Sequence, residues 1–106
     1  MDIQLRRALL DVCTLATIKD EESYGYKIIK DMSSIIEISE STLYPILRRL
    51  EAQKLLTVRT VEYNSRLRKY YKITDLGKKR LETFKEEWKE VIQIYKLISE
   101  GETNHE

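Results

Sequence analysis

From Gly77 onward the apolar residues Leu81, Phe84, Trp88, Val91, Tyr95 and Ile98 recur in alternating steps of four and three, and Ile92, Ile94 and Leu97 widen the stripe toward its end. That is the spacing of a heptad seam on one long helix. A helix of about 25 residues is roughly 37 Å long at 1.5 Å per residue. A body built from the preceding ~75 residues has an expected radius of gyration near ~11 Å. The helix therefore overhangs whatever the rest of the chain builds. A chain of 106 residues buries only a modest share of its surface, so a second copy is a natural source of further apolar burial. The expected homodimer interface is Leu81, Phe84, Trp88, Val91, Ile92, Tyr95 and Ile98, with packing of the stripe back on the first helix as the alternative.

Ahead of that helix the apolar period changes twice. Between Ile3 and Ile18, the residues Leu5, Ala8, Leu9, Val12, Cys13, Leu15 and Ala16 form a broad helical stripe. A polar connection, Lys19 to Glu22, leads to Ser23 as the expected N-cap of a second helix carrying Tyr24, Gly25, Tyr26, Ile28, Ile29 and Met32. Gly25 is costly there unless another helix packs closely on it. Ser39, Glu40 and Ser41 offer N-caps for a third helix, with Pro45 expected in its first turn. Leu55 to Tyr63 and Arg68 to Thr74 are β-type runs around an Asn64-Ser65 turn, so they pair as a hairpin. Thr74 caps the long helix, and Asp75 suits the positive end of its dipole. The expected fold is mainly α with a small β-hairpin (α+β), a winged helix-turn-helix followed by a long C-terminal dimerisation helix. It divides into a winged-helix domain at 1–74, the dimerisation helix at 75–99 and a polar, disordered tail at 100–106.

The net charge of +1 conceals a strong asymmetry. Ser41 to Arg80 holds 11 Lys and Arg against 3 Asp and Glu, whereas residues 1–40 hold 5 against 8 and residues 81–106 hold 3 against 7. A basic block between acidic flanks attracts a polyanion to one face, and double-stranded DNA is the expected partner. In the third helix Leu43, Ile46, Leu47 and Leu50 follow the i, i+3, i+4, i+7 rule. That turns Ser41, Pro45, Arg48 and Ala52 outward, with Tyr44 and Arg49 flanking. Hydroxyls, an aromatic ring and two arginines on one face suit a recognition helix, because Arg binds guanine bidentately or clamps phosphates. An ordinary solvated face is the alternative. In the hairpin, Tyr71 and Ile73 share one face, while Arg66, Arg68, Lys69 and Lys72 make the tip and outer face basic.

Other function classes find little support. No apolar run approaches the roughly 20 residues of a membrane span, and no signal-type segment opens the chain, so a cytoplasmic protein is expected. Cys13, the single cysteine, sits in an apolar stripe and is expected to be a buried structural thiol. His105, the single histidine, lies in the polar tail. With no CxxC, no HExxH and no phosphate-cradling loop among 3 glycines, neither an enzyme nor a metal or cofactor site is expected. The rival is a winged-helix module that binds protein or RNA without an effector. The basic wing and the helix-3 arginines weigh against protein binding, and Tyr70 alone offers an exposed ring for RNA base stacking.

In this order the motifs resemble the PadR family of bacterial transcriptional regulators. Tyr24-Gly25-Tyr26-Lys27-Ile28-Ile29 is similar to the family's second helix, and Thr42-Leu43-Tyr44-Pro45 with Leu47-Arg48-Arg49-Leu50-Glu51 to its recognition helix. Arg68-Lys69-Tyr70-Tyr71, Ile73-Thr74 and Gly77 resemble its second wing strand and helix junction. The likeness covers about residues 3 to 98. It implies a dimeric winged-helix repressor that contacts its operator through Ser41, Thr42, Tyr44, Pro45, Arg48 and Arg49 on the helix, and through Arg66, Arg68, Lys69 and Tyr70 on the wing. The family commonly has glycine where Ser41 and Lys54 stand, so somewhat different turns around helix 3 are expected. Family members that sense aromatic drugs stack them on a terminal-helix tryptophan, a place matched by Trp88. Ile92 stands one turn later where an acidic residue would favour a cation, so a neutral planar aromatic effector, or none, is expected; plain dimer core is the other role open to Trp88.

Overall fold

The computed structural model describes residues 1–102. Helix α1 (Ile3–Thr17) begins where the Asp2 carboxylate accepts the Leu5 amide at 3.0 Å, satisfying one of the free donors of a first turn. Its stripe is used unevenly: Leu10, Val12 and Leu15 are buried, while Ile3 and Leu5 stay exposed. Cys13 is only partly buried, packed against the core, a correction to the buried thiol expected, and burial still pushes its pKa up.

Helix α2 (Gly25–Met32) is capped by Tyr24 rather than by Ser23. Ser23 has another engagement: its amide donates to Tyr71 O at 3.0 Å and its carbonyl accepts from Tyr71 N at 2.7 Å, which holds it extended. Gly25 has the helix contact that its place in the sequence required, because a Cβ there would run into the Tyr44 hydroxyl and lie 3.1 Å from that ring's Cζ.

Helix α3 (Glu40–Ala52) starts after Ser39. Pro45 consequently falls in the second turn, not the first, and having no amide hydrogen it leaves the exposed Ser41 carbonyl without its helical donor. The helix stops in a Schellman arrangement. The Leu55 amide donates to Leu50 O and the Lys54 amide to Glu51 O, both at 2.9 Å, with Lys54 at φ +64°. Lys54 thus keeps the left-handed geometry of a glycine, contrary to the altered turn expected, and Ser41 sits inside the helix where no unusual φ is required.

Strands β1 (Leu56–Tyr63) and β2 (Arg66–Ile73) pair antiparallel from Leu56↔Ile73 to Tyr63↔Arg66. Asn64 and Ser65 have φ of +50° and +62°, the double positive φ of the two-residue turn that matches strand twist. Leu56, Tyr71 and Ile73 turn one face of this hairpin into the core. There they join Leu15, Ile18, Ile28, Met32, Leu43, Leu47 and Leu50, all at 1% exposure or less.

Helix α4 (Asp75–Ser99) is fastened at its start. Thr74 Oγ1 accepts the Gly77 amide at 3.0 Å and donates to Lys54 O at 2.7 Å. Gly77 is packed so that a Cβ would meet the Leu55 carbonyl and lie 2.6 Å from Ile73 Cγ1. Leu81 still touches the core, but exposure climbs from 37% at Val91 to 67% at Tyr95 and 70% at Leu97. The radius of gyration is 16.7 Å and the long axis 60 Å, against roughly 13 Å expected for a compact chain of this length. Part of α4 packs on α1, as the alternative expected, but the stripe from Val91 onward is left exposed. The tail expected at 100–106 falls, from residue 103 onward, outside the described residues, as does His105. Among the described residues no helix is long and apolar enough to cross a membrane.

Candidate nucleic-acid interface

The outer face of α3 carries the residues that helical spacing assigned to it: Ser41, Pro45, Arg48 and Ala52 are exposed, as are Tyr44 at its flank and Thr42, and Leu43, Ile46, Leu47 and Leu50 are buried beneath them. Hydroxyls gather at the helix start, with Ser39 Oγ 3.0 Å from Ser41 Oγ and 3.3 Å from Thr42 Oγ1. The free amides and dipole of a helix N-terminus favour an anion at such a place. Arg49 departs from this face. Its guanidinium turns to the Asp11 carboxylate of α1, and both side chains are about three-quarters buried. The local period could not reveal this, because the partner lies 38 residues away.

Between α3, the start of α2 and the wing runs a groove of about 920 Å³. Tyr24, Tyr26, Tyr44, Tyr63 and Tyr71 line it with Arg66, Leu67, Arg68 and Lys69, against a single carboxylate, Glu40. The groove is thus basic and rich in phenols, able to meet phosphates by charge and hydroxyl and sugars by ring contact. Tyr71 is its buried floor, and burial raises its pKa, assisted by the nearby Tyr44 and Glu51.

The wing sorts its expected contacts by strand period. Arg66 and Lys69 are exposed near the tip, free to reach a ligand. Lys69 lies on the same face as Tyr71 and Ile73, not on the outer face expected for it, since successive side chains alternate. Arg68 and Tyr70 are half-buried and occupied within the chain. Arg68 lies over the rings of Tyr24 and Tyr63, and Tyr70 lies beneath Arg59 and edge-on to Tyr24. Arg59 in turn holds Glu22 through two hydrogen bonds, one of 2.9 Å from Nε, and those bonds lower the Glu22 pKa. Glu22, Tyr24, Arg59 and Tyr63 were not among the expected site residues. For the two tyrosines the sequence signal was the number of tyrosines, 7 in all; Glu22 and Arg59, 37 residues apart, carried none.

Phe84 and Trp88 are half-buried on α4 and stack with centroids 5.2 Å apart and planes at 22°. Val91, Ile92, Tyr95 and Ile98 continue this surface outward, all exposed. Among the described residues no cluster of His, Cys, Asp and Glu is arranged to hold a metal.

Comparison with known proteins agrees with this architecture. The profile of the Transcriptional regulator PadR-like family matches residues 14–83, which include α2, α3, the wing and the start of α4. An uncharacterized protein from Lysinibacillus sphaericus is 36% identical over 100 residues, covering 90% of this chain and 92% of its own length. The crystal structure of a PadR family transcriptional regulator from Eggerthella lenta superposes with a TM-score of 0.80 at 36% identity, over 96% of this chain and 89% of the other. Bacillus subtilis PadR, crystallised in complex with operator DNA, gives 0.66 at 26% identity, over 71% of this chain and 45% of that longer one. The family match over most of the chain, the four helices with their two-stranded wing and the long terminal helix lead to one assignment: the chain belongs to the PadR-like family of transcriptional regulators, proteins that act on transcription and are not enzymes.

Proposed function

We propose that this chain is a sequence-specific repressor that binds operator DNA as a homodimer, with α3 in the major groove and the wing alongside. The observation that carries the reading is the outer face of α3, where Ser41, Thr42, Tyr44, Pro45 and Arg48 are exposed beside a groove with three cations and one carboxylate. Its likeness to a relative crystallised on operator DNA supports the same surface. Arg48 reads bases, Tyr44 and the hydroxyls fix register on the backbone, and Arg66 and Lys69 meet phosphates. The exposed apolar end of α4, together with Ile3 and Leu5 of α1, supplies the dimer contact. The test is selection of duplexes from a random pool, followed by titration at several salt concentrations. A selected sequence bound at least ~10³ tighter than random duplex, with a salt slope of several units, is expected. Equal affinity for all duplexes refutes sequence-specific recognition.

The Phe84–Trp88 stack supports release by a planar neutral aromatic compound seated between the two copies of α4. A ligand can loosen DNA binding only by preferring one arrangement of the wings over another. Quenching of Trp88 emission, the only tryptophan signal in the chain, must therefore accompany release of the duplex. Quenching that persists unchanged in DNA-bound protein without release separates a mere site from an effector site.

A further inference from the structure

On the outer face of the wing the Arg68 guanidinium lies between two phenol rings, 4.2 Å from the centroid of Tyr24 and 4.3 Å from that of Tyr63. Tyr63 belongs to β1, whereas Tyr24 is the N-cap of α2. One cation therefore joins the wing to the body. Beside it Tyr70 meets Tyr24 edge-on at 5.7 Å and 71°, and Arg59 sits 5.0 Å above the Tyr70 ring while holding Glu22. Every body residue in this ladder comes from Glu22 to Tyr24, the segment whose Ser23 exchanges backbone hydrogen bonds with Tyr71. Lys69, one residue along β2, turns its exposed side chain to the opposite face.

A guanidinium is planar and weakly hydrated, so it can be covered on both faces by rings; an ammonium cannot reproduce that fit. With two rings within 4.3 Å of its guanidinium and Nη1 donating to the Tyr70 hydroxyl at 3.4 Å, Arg68 is already engaged within the chain. Tyr24 is followed by Gly25, against which the Tyr44 hydroxyl of α3 is seated. The stack thus continues from the wing through the start of α2 to the exposed face of α3.

We propose that Arg68 is a positioning residue rather than a nucleic-acid contact: clamped by Tyr24 and Tyr63, it locks the wing at a fixed angle to α2 and α3, so that wing and helix meet DNA as one preformed surface. Its functional half rests on the DNA-binding reading; its structural half stands without DNA. Preorganisation of this kind raises affinity by removing the ordering cost of binding.

The discriminating variants are Arg68→Lys, which keeps the charge and loses the stack, and Arg68→Met, which loses both. Amide hydrogen exchange without DNA and titration of the duplex selected by the wild-type chain are measured on each. In both variants the Ser23 and Tyr71 amides should exchange about tenfold faster, because the local opening that exposes them becomes easier. Both should bind the duplex about tenfold more weakly with the salt slope nearly kept, as for loss of a stack and not of a phosphate contact. Wild-type affinity in Arg68→Lys overturns the proposal, whatever its exchange. So does a slope shallower by about one unit in Arg68→Met, the mark of a lost phosphate contact. Should the wild-type chain bind no duplex while the exchange effect is present, the DNA-binding reading falls and the wing lock stands.

Discussion

Arg48 and Arg49 are neighbours in the sequence with opposite employment in the fold. At 100° per residue they straddle the edge of the outer face of α3, and that spacing alone admits both as DNA contacts. What separates them is Asp11, brought beside Arg49 by the packing of α1 on α3. A pair with each side chain about one-quarter exposed is screened in part, so Arg49→Ala should cost only about 1 kcal/mol of stability. For a domain of this size that is a fall in Tm of roughly 4–8 °C. Arg48→Ala should leave Tm unchanged and weaken the selected duplex by about 1–3 kcal/mol. Thermal melts and duplex titrations on both variants check this; an unchanged Tm for Arg49→Ala with lost affinity would return Arg49 to the DNA face. Arg68 teaches the same lesson in a strand. Period two assigns it a face, but only tertiary structure reveals that the face is already covered by Tyr24.

The elements themselves were legible because local signals agreed: heptad steps for α4, the i, i+3, i+4, i+7 rule for α3, and a turn dipeptide between β-type runs for the wing. Junctions were less legible, since they depend on contacts far along the chain. Ser23 has a good capping side chain, yet pairing with Tyr71 draws its backbone into the sheet and moves the cap to Tyr24. The two structured glycines behave differently for the same kind of reason. At Gly25 a new Cβ meets the far end of a tyrosine, which can swing away. Gly25→Ala should therefore change stability by less than about 1 kcal/mol, with helix propensity offsetting the displaced ring, and it should weaken DNA binding by displacing Tyr44. At Gly77 the Cβ meets the Leu55 carbonyl and the buried Ile73, neither of which can leave. Gly77→Ala should cost about 2–3 kcal/mol. Urea titrations compare the two; equal losses would contradict the assignment of Tyr44 as the yielding neighbour. Lys54, at φ +64°, adds a third case. A non-glycine residue there carries about 1–2 kcal/mol of strain, and part of that gain is offset by glycine's larger unfolded-state entropy. Lys54→Gly should stabilise the chain by about 0.5–1 kcal/mol in the same titration, without altering the Schellman hydrogen bonds.

For the molecule as a whole, the decisive quantity is apolar surface left without cover. Val91, Ile92, Ile94, Tyr95, Leu97 and Ile98 line the overhang of α4, with exposures from 37% to 70%. Single exposed apolar residues are common, but a contiguous stripe on a protruding helix marks an interaction surface. In a two-fold dimer each α4 would face its symmetry mate, and the same residues would bury on both sides. Val91 sits at the inner end of the exposed stretch, where Val91→Glu would put two like carboxylates across the two-fold axis. The penalty, several kcal/mol if both are desolvated, exceeds what a marginal dimer can tolerate. Sedimentation velocity over a range of concentrations should show a dimer for the wild-type chain and mainly monomer or aggregate for the variant. Operator binding should fall with it, because a single half-site forgoes the second recognition helix one duplex turn away. A variant that stays dimeric and keeps its affinity would mean that another surface joins the two copies and that the stripe of α4 serves some other contact.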